Sequence, residues 1–324
     1  MSFSREQLEQ HCKAILQSRR ILNKIVVLCE GEIEKDQGRL SPQSYGKMEE
    51  RPDSNFYKAC VPQCRSQYRP QFFNCGDRRD VIDTYFSLLE LHNKDSSSSY
   101  LDPNKLFAIV DLDLQIQRID SASYSFADTE EIFNNLYEKF QVKDEINALH
   151  RIWVTGLIHK EAYFLTPYLQ LTFDNYNYKN PPIYKGNFLI LQDIYIDMAD
   201  EMSSDWDLQN KNNSPRVFNR ISCCSGLDCS EIDKLQDSWK DQFQKAEHDT
   251  RKDELVFALL TIKKAKNYWH QVQPPSDWIR SPEVFRDQLS LKIGEFYSEH
   301  SNDPKYHIPF FLKTLYEFVY GNTI

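Results

Sequence analysis

In the first half of the chain, apolar residues gather into four short runs: Ile25-Val26-Val27-Leu28-Cys29, Gln71-Phe72-Phe73-Asn74-Cys75, Leu106-Phe107-Ala108-Ile109-Val110 and Arg151-Ile152-Trp153-Val154-Thr155. Runs this short, without polar alternation and rich in β-branched or aromatic residues, read as strands buried on both faces, as in a parallel sheet. Helical stripes separate them. Leu8, Cys12, Ile15 and Leu16 mark an amphipathic helix between Ser4 and Arg20, with Ser4 as its cap. Asp53 to Tyr57 opens a short helix ending near Pro62, Val81 to about His92 forms another, and Thr129 to about Phe140 a further one. A strand, a glycine turn at Gly76 and a helix form the βα unit of a parallel sheet.

Two stretches interrupt this rhythm. Ile33 to Pro52 is polar, broken by Gly38, Pro42, Gly46 and Pro52, and reads as a long loop; Asp95 to Tyr100, with four serines, reads as a flexible connector. Beyond Pro167 the character changes. Leu169 to Asp200, rich in Tyr, Asn and Phe, reads as irregular strands or loops, and Ser203 to Pro215 as exposed polar chain. Helices are expected over Glu231 to Lys245, Leu255 to Gln271, Pro282 to His300 and Pro309 to Tyr320. The fold class is therefore α/β, a central mostly parallel sheet flanked by helices with a mainly helical C-terminal lobe. The expected division is 1–170 and 171–324.

Acids stand where the strands end. The first run leads into Glu30-Gly31-Glu32 and the third into Asp111-Leu112-Asp113. Ligands of open α/β sheets bind beyond the carboxyl ends of the strands. Side chains alternate along a strand, so Asp111 and Asp113 share a face about 7 Å apart. Neighbouring carboxylates repel unless a cation, a donor network or water compensates. The fourth run passes Gly156 and His159 to Lys160 and Glu161, which brings a further acid toward the same edge; His159 fits a general acid or base, although a lone histidine more often serves a hydrogen-bonded structural role.

Composition narrows the classes of function. Of 324 residues, 40% are hydrophobic and 27% charged, ordinary for a globular chain, and a net charge of −9 gives no global attraction to phosphate. Nucleic-acid binding then needs a local basic patch or a bound metal. The N-terminus lacks the apolar core of an export signal and no run of 18 apolar residues occurs, so a cytoplasmic protein without a membrane span is expected. The 8 cysteines are expected as reduced thiols. Cys60, Cys64 and Cys75, and separately Cys223, Cys224 and Cys229, have metal-like density without zinc-knuckle spacing, and also fit buried, unreactive thiols. Lys263, Lys264 and Lys266 beside Tyr268 and Trp269 fit either a nucleic-acid grip or an ordinary helix with a core stripe.

The order strand-Glu-Gly-Glu, then strand-Asp-Leu-Asp, resembles the Toprim superfamily of primases, topoisomerases and nucleases. Glu30 resembles that family's single glutamate, and Asp111 and Asp113 its paired aspartates. The sequence is also similar to small standalone Toprim-like proteins of bacterial anti-phage defence that act beside an ABC-type ATPase. Glu30-Gly31, Phe56-Tyr57, Gly76, Asp111 and Glu161-Ala162-Tyr163 carry that likeness, which covers about residues 20 to 170. The resemblance implies a metal-dependent nuclease cleaving DNA or RNA, transfer RNA included, with an ATPase partner. Asp111 and Asp113 would be metal ligands, Glu30 a ligand or general base, and Glu32 and Glu161 additional acids. Lys160, Arg78 and Arg79 would hold substrate phosphate. An all-oxygen donor set suits Mg2+ or Mn2+. No Walker A loop occurs, so ATP hydrolysis would belong to another chain. A non-catalytic module that docks on an ATPase or senses a nucleotide is the alternative, and a homo-oligomer is compatible with either.

Overall fold

A computed structural model of the chain describes residues 3–32, 52–62, 68–121, 124–143, 149–175 and 181–321. The four apolar runs form one sheet. β1 (Val26–Cys29), β2 (Gln71–Asn74), β3 (Leu106–Leu112) and β4 (Ile152–Ile158) pair in the order β2-β1-β3-β4, all parallel, and every residue in them is buried. Residue identity explains the burial: Val27, Leu28, Phe107, Ile109 and Trp153 leave neither face able to meet water, so helices must cover both.

Caps set where those helices begin. Ser4 and Gln7 form a capping box at the start of α1 (Arg5–Leu16), and Asp77 and Asp80 form another at α3 (Arg78–Lys94). α1 packs on α3, while α2 (Pro52–Ala59) lies between them in sequence and against the C-terminal half in space. Asp128 caps α4 (Thr129–Leu136), which packs on β4. The remaining long helices are α5 (Leu191–Asp200), α6 (Ser214–Ile221), α7 (Ile232–Lys245), α8 (Asp249–Ile262), α9 (Pro282–Ser298) and α10 (His307–Tyr320). α8 packs on β4 and α9 on α2, and residues on both sides of position 170 enter one buried apolar cluster. The α/β class expected from the sequence is the observed one.

The third and fourth strands depart from a regular ladder. Val110 pairs with Val154, but Leu112 pairs with Ile158, so β4 carries two extra residues over that interval. The Thr155 hydroxyl enters the gap, accepting from Leu112 N at 2.8 Å and donating to Leu157 O at 2.8 Å. Gly156 makes the bulge possible, because a Cβ there would stand 2.3 Å from His307 Nδ1.

Several sequence expectations need correction. Leu191 to Asp200 is a helix, not irregular chain, with Leu191, Ile194, Tyr195 and Met198 as its buried stripe. The helix from Thr129 ends at Leu136 because Lys139 and Phe140 take positive φ in a small hairpin. Ser203 to Pro215 is not wholly exposed: Asp207, Leu208 and Asn213 are buried, and Asp205 and Asp207 pair with Lys263 and Lys264. That pairing also breaks the helix expected over Leu255 to Gln271, which stops at Ile262 and resumes as Lys266–Trp269. Tyr268 and Trp269 are buried, so this segment offers no aromatic stacking platform. Ser96–Ser98 of the connector forms a 3-10 turn held by the Asp95 carboxylate. The loop expected from Ile33 lies outside the described residues up to position 51, as does Cys64.

Two histidines are locked into the core uncharged. His307 Nε2 donates to Phe140 O at 2.8 Å, and its Nδ1 faces the Tyr163 hydroxyl at 3.0 Å. Burial pulls both His307 and His11 from the ordinary 6.5 down to about 4. A depressed value means that the unfolded chain binds a proton the native state refuses, so stability is present above 6.5 and is lost as pH falls toward 4. The expected loss is roughly 3 kcal/mol for each histidine. Urea unfolding followed across this window should show it, and His11→Phe, which deletes a ring whose Nε2 is buried without a partner, should remove its share of the pH slope.

Candidate functional site

The strand order decides where a site can form. From β1 the chain moves outward to β2, and from β3 it moves the opposite way to β4, so β1 and β3 are adjacent strands whose connections diverge. A crevice opens between carboxyl ends at such a switch point. Glu30 stands directly beyond β1 and Asp111 at the end of β3. The Asp111 N–H donates to Glu30 Oε1 at 2.7 Å, tying the two acids together.

The neighbouring turn is equally fixed. Gly31 and Gly76 exchange both backbone hydrogen bonds, at 2.9 and 3.0 Å, which ties the end of β1 to the end of β2. Gly76 has φ +84, and a Cβ there would stand 2.4 Å from the Asp80 carboxylate, so the turn requires glycine. The following capping box starts α3 with Arg78 and Arg79 facing the crevice.

These elements enclose a cavity of about 300 Å³ lined by Glu30, Asp111, Asp113, Arg78, Arg79 and His159, with Asp77, Gln115 and Gln117 at its margin. His159 arrives because of the bulge. Without the two extra residues it would lie about 7 Å further along the strand. With them its N–H donates to Leu112 O at 3.2 Å, and its ring Nδ1 comes within 3.7 Å of Asp111 Oδ2. His159 adopts φ +59, a conformation uncommon outside glycine and asparagine and characteristic of constrained sites.

Charge in the cavity is unevenly compensated. Burial raises Glu30 well above the usual carboxylate range, the adjacent Asp111 carboxylate raises it further, and the Asp111 N–H and Arg78 offset only part of this. Asp113 goes the other way. Burial alone would raise it, but His159, Lys264 and Arg78 together lower it. Arg78 Nη2 lies 3.8 Å and Lys264 Nζ 3.9 Å from its carboxylate oxygens. For His159 burial acts to lower basicity, and the Asp111, Asp113 and Glu161 carboxylates outweigh it, so the imidazolium is favoured. Asp111 Oδ1 and the Nε and Nη1 of Arg78 are buried without a hydrogen-bond partner.

The other sequence candidates lie at or behind this edge. Glu32 is exposed, one residue beyond the glycine bridge, and is not among the lining residues. Glu161 is buried on the 3-10 turn Lys160–Leu165 and acts on His159 through charge without lining the cavity. Lys160, on the same turn, is lowered by burial, with Glu161 the first of the charges opposing it. Cys29, Cys60 and Cys75 are buried thiols with values raised by burial; Cys224 is buried, Cys223 exposed, and no disulfide forms among these.

The donor chemistry fits a hard divalent cation. Glu30, Asp111 and Asp113 offer only oxygens, one buried Asp111 oxygen lacks a partner, and two like charges adjoin. Among the described residues no group of three or more His, Cys, Asp or Glu side chains is arranged to hold a metal ion. No protein-family model, curated protein or solved structure matches this chain. Among the described residues no helix is long and apolar enough to cross a membrane.

Glu30 supplies a stability test. A carboxyl with a raised folded-state value stabilises the fold only while protonated, and that contribution is lost as pH rises through the raised value. Glu30→Gln keeps an acceptor for the Asp111 N–H and removes the charge. The variant should melt a few degrees above wild type at pH 7 and converge with it in mild acid, measured by calorimetry in the presence of a chelator.

Proposed function

We propose that this protein is a Mg2+- or Mn2+-dependent phosphodiesterase acting on nucleic acid. The observation that carries the reading is the convergence of Glu30 and Asp111 at the switch point, with Asp113, Arg78 and His159 around one cavity. The resemblance to Toprim nucleases in the sequence points the same way, on the same acids.

Asp111, through its unpartnered Oδ1, and Asp113 would hold the ion, with Glu30 beside them. Bound there, the ion supplies Lewis-acid stabilisation of the charge that builds on the phosphoryl oxygens. Glu30 Oε1 is occupied by the Asp111 N–H, leaving Oε2 to accept a proton from an attacking water. A carboxyl whose proton affinity is raised is a better acceptor than a free one. His159, held as an imidazolium with Nδ1 toward Asp111, has Nε2 available to donate to a leaving oxygen. Arg78 lines the cavity with Nη2 toward Asp113, and Arg79 stands at its rim; both guanidinium groups suit the nonbridging oxygens of a phosphate. Glu161 acts on His159 through charge, and Lys160 stands beside it on the same turn.

A second reading has its own support. Asp113 is already flanked by Arg78, His159 and Lys264, a balance that also suits a non-catalytic pocket for a nucleotide or a docking module for a partner ATPase.

Purified protein incubated with plasmid DNA, single-stranded DNA and transfer RNA should cleave at least one of them with Mg2+ and none with EDTA. Glu30→Ala and Asp111→Ala should each lose at least about 10³-fold in kcat, His159→Asn about 10²-fold, and Arg78→Ala should mainly raise KM. Undiminished cleavage by both acid variants would exclude the phosphodiesterase and leave the binding module.

A further inference from the structure

The acidic edge is built from the first half of the chain, yet the backbone that presents Asp113 is gripped by the second. Arg220, in α6, is buried and forks onto Glu130 of α4, with Nε to Oε1 at 3.1 Å and Nη2 to Oε2 at 2.5 Å. The same Nη2 donates to the carbonyl of Asp113 at 2.7 Å. One helical turn earlier, Arg216 Nη2 donates to the next carbonyl, Leu114 O, at 2.7 Å and to Asn213 Oδ1 at 2.7 Å. Two arginines spaced four apart thus hold two consecutive carbonyls as the chain leaves β3. The Asp113 carboxylate accepts from Leu114 N at 2.6 Å, so the peptide between these residues is fixed from both sides.

We propose that Arg220 and Arg216 are positioning residues of the acidic site, a clamp from α6 that sets the direction in which Asp113 meets Asp111 and Glu30. This rests on the divalent-ion reading for its functional consequence, but not for its geometry. A buried ion pair between Arg220 and Glu130 could serve stability alone, and hydrophobic replacements of such pairs are often tolerated. The pair here goes further, because the guanidinium reaches a backbone carbonyl next to a ligand candidate. Lysine keeps the charge but lacks the planar fork needed to serve Glu130 and Asp113 O together.

The test uses full-length Arg220→Lys and, because a buried site can fail to fold, also Arg216→Gln, whose side chain is only part-buried. Amide hydrogen exchange over residues 111–115 reads the clamp directly, and Mn2+ titration followed by electron paramagnetic resonance reads its consequence. Each variant should melt cooperatively, exchange these amides at least about tenfold faster than wild type, and bind Mn2+ at least about tenfold more weakly. Wild-type protection over 111–115 in both variants would overturn the clamp. Faster exchange with unchanged Mn2+ affinity would overturn its positioning role. If wild-type protein binds no Mn2+ while the variants still exchange faster, the divalent-ion reading falls and the clamp on the backbone stands.

Discussion

Glu30 and Asp111 are like charges that the fold forces together, and the bond from the Asp111 N–H to Glu30 Oε1 is what makes the contact tolerable. It exists only because β1 and β3 are parallel neighbours in the observed register, with Cys29 opposite Ile109. Shifting that register by one residue would turn Asp111 to the other face and leave Glu30 without the donor that now serves it. The apolar pairing of Val26 to Cys29 with Leu106 to Ile109 is therefore what holds the polar site in place. Helices on both faces exclude water from the strands, and the same exclusion raises Glu30.

Around this pair the cations are arranged by independent devices. Arg78 comes from a glycine turn and a capping box, His159 from a strand bulge, and Lys264 from a break between two C-terminal helical segments. Each device is local: Arg78 and Lys264 aim at Asp113, whereas His159 stands nearest Asp111. Asp113 is thereby flanked by two cations, while Asp111, met by His159 at one oxygen, keeps the other buried without a partner. Such asymmetry separates a site that asks for a ligand from a satisfied ion-pair network.

Much of this was legible in the chain. Unbroken apolar runs gave the four strands, and acids at their ends gave Glu30, Asp111 and Asp113, because burial on both faces leaves a strand end as the place where charge can reappear. The placement of His159 beside Asp111 was not legible. Its position depends on how many residues β4 carries between two rungs, and that count is enforced by Gly156 packed against His307 from the far end of the chain. Gly156 inside an apolar run was the available signal for a bulge. Lys263 and Lys264 read as a basic face because their partners Asp205 and Asp207 sit in a segment whose polarity suggested exposure. Burial of such a segment follows from mutual neutralisation, which local pattern does not reveal. α5 was hidden by its tyrosine- and asparagine-rich setting, although its apolar spacing was helical.

The bulge in β4 also bears on how relatives of this site would have to be sought. A chain sharing Glu30, Asp111 and Asp113 at identical separations, but running a regular fourth strand, would present its histidine two rungs away and lack the imidazole altogether. A chain whose fourth segment differs in length could still place one correctly by changing the bulge. Linear spacing to His159 is thus a poor ruler for kinship, whereas a three-dimensional template of two strand-end acids and a ring nitrogen within 3.7 Å of one of them is indifferent to how the residues are counted.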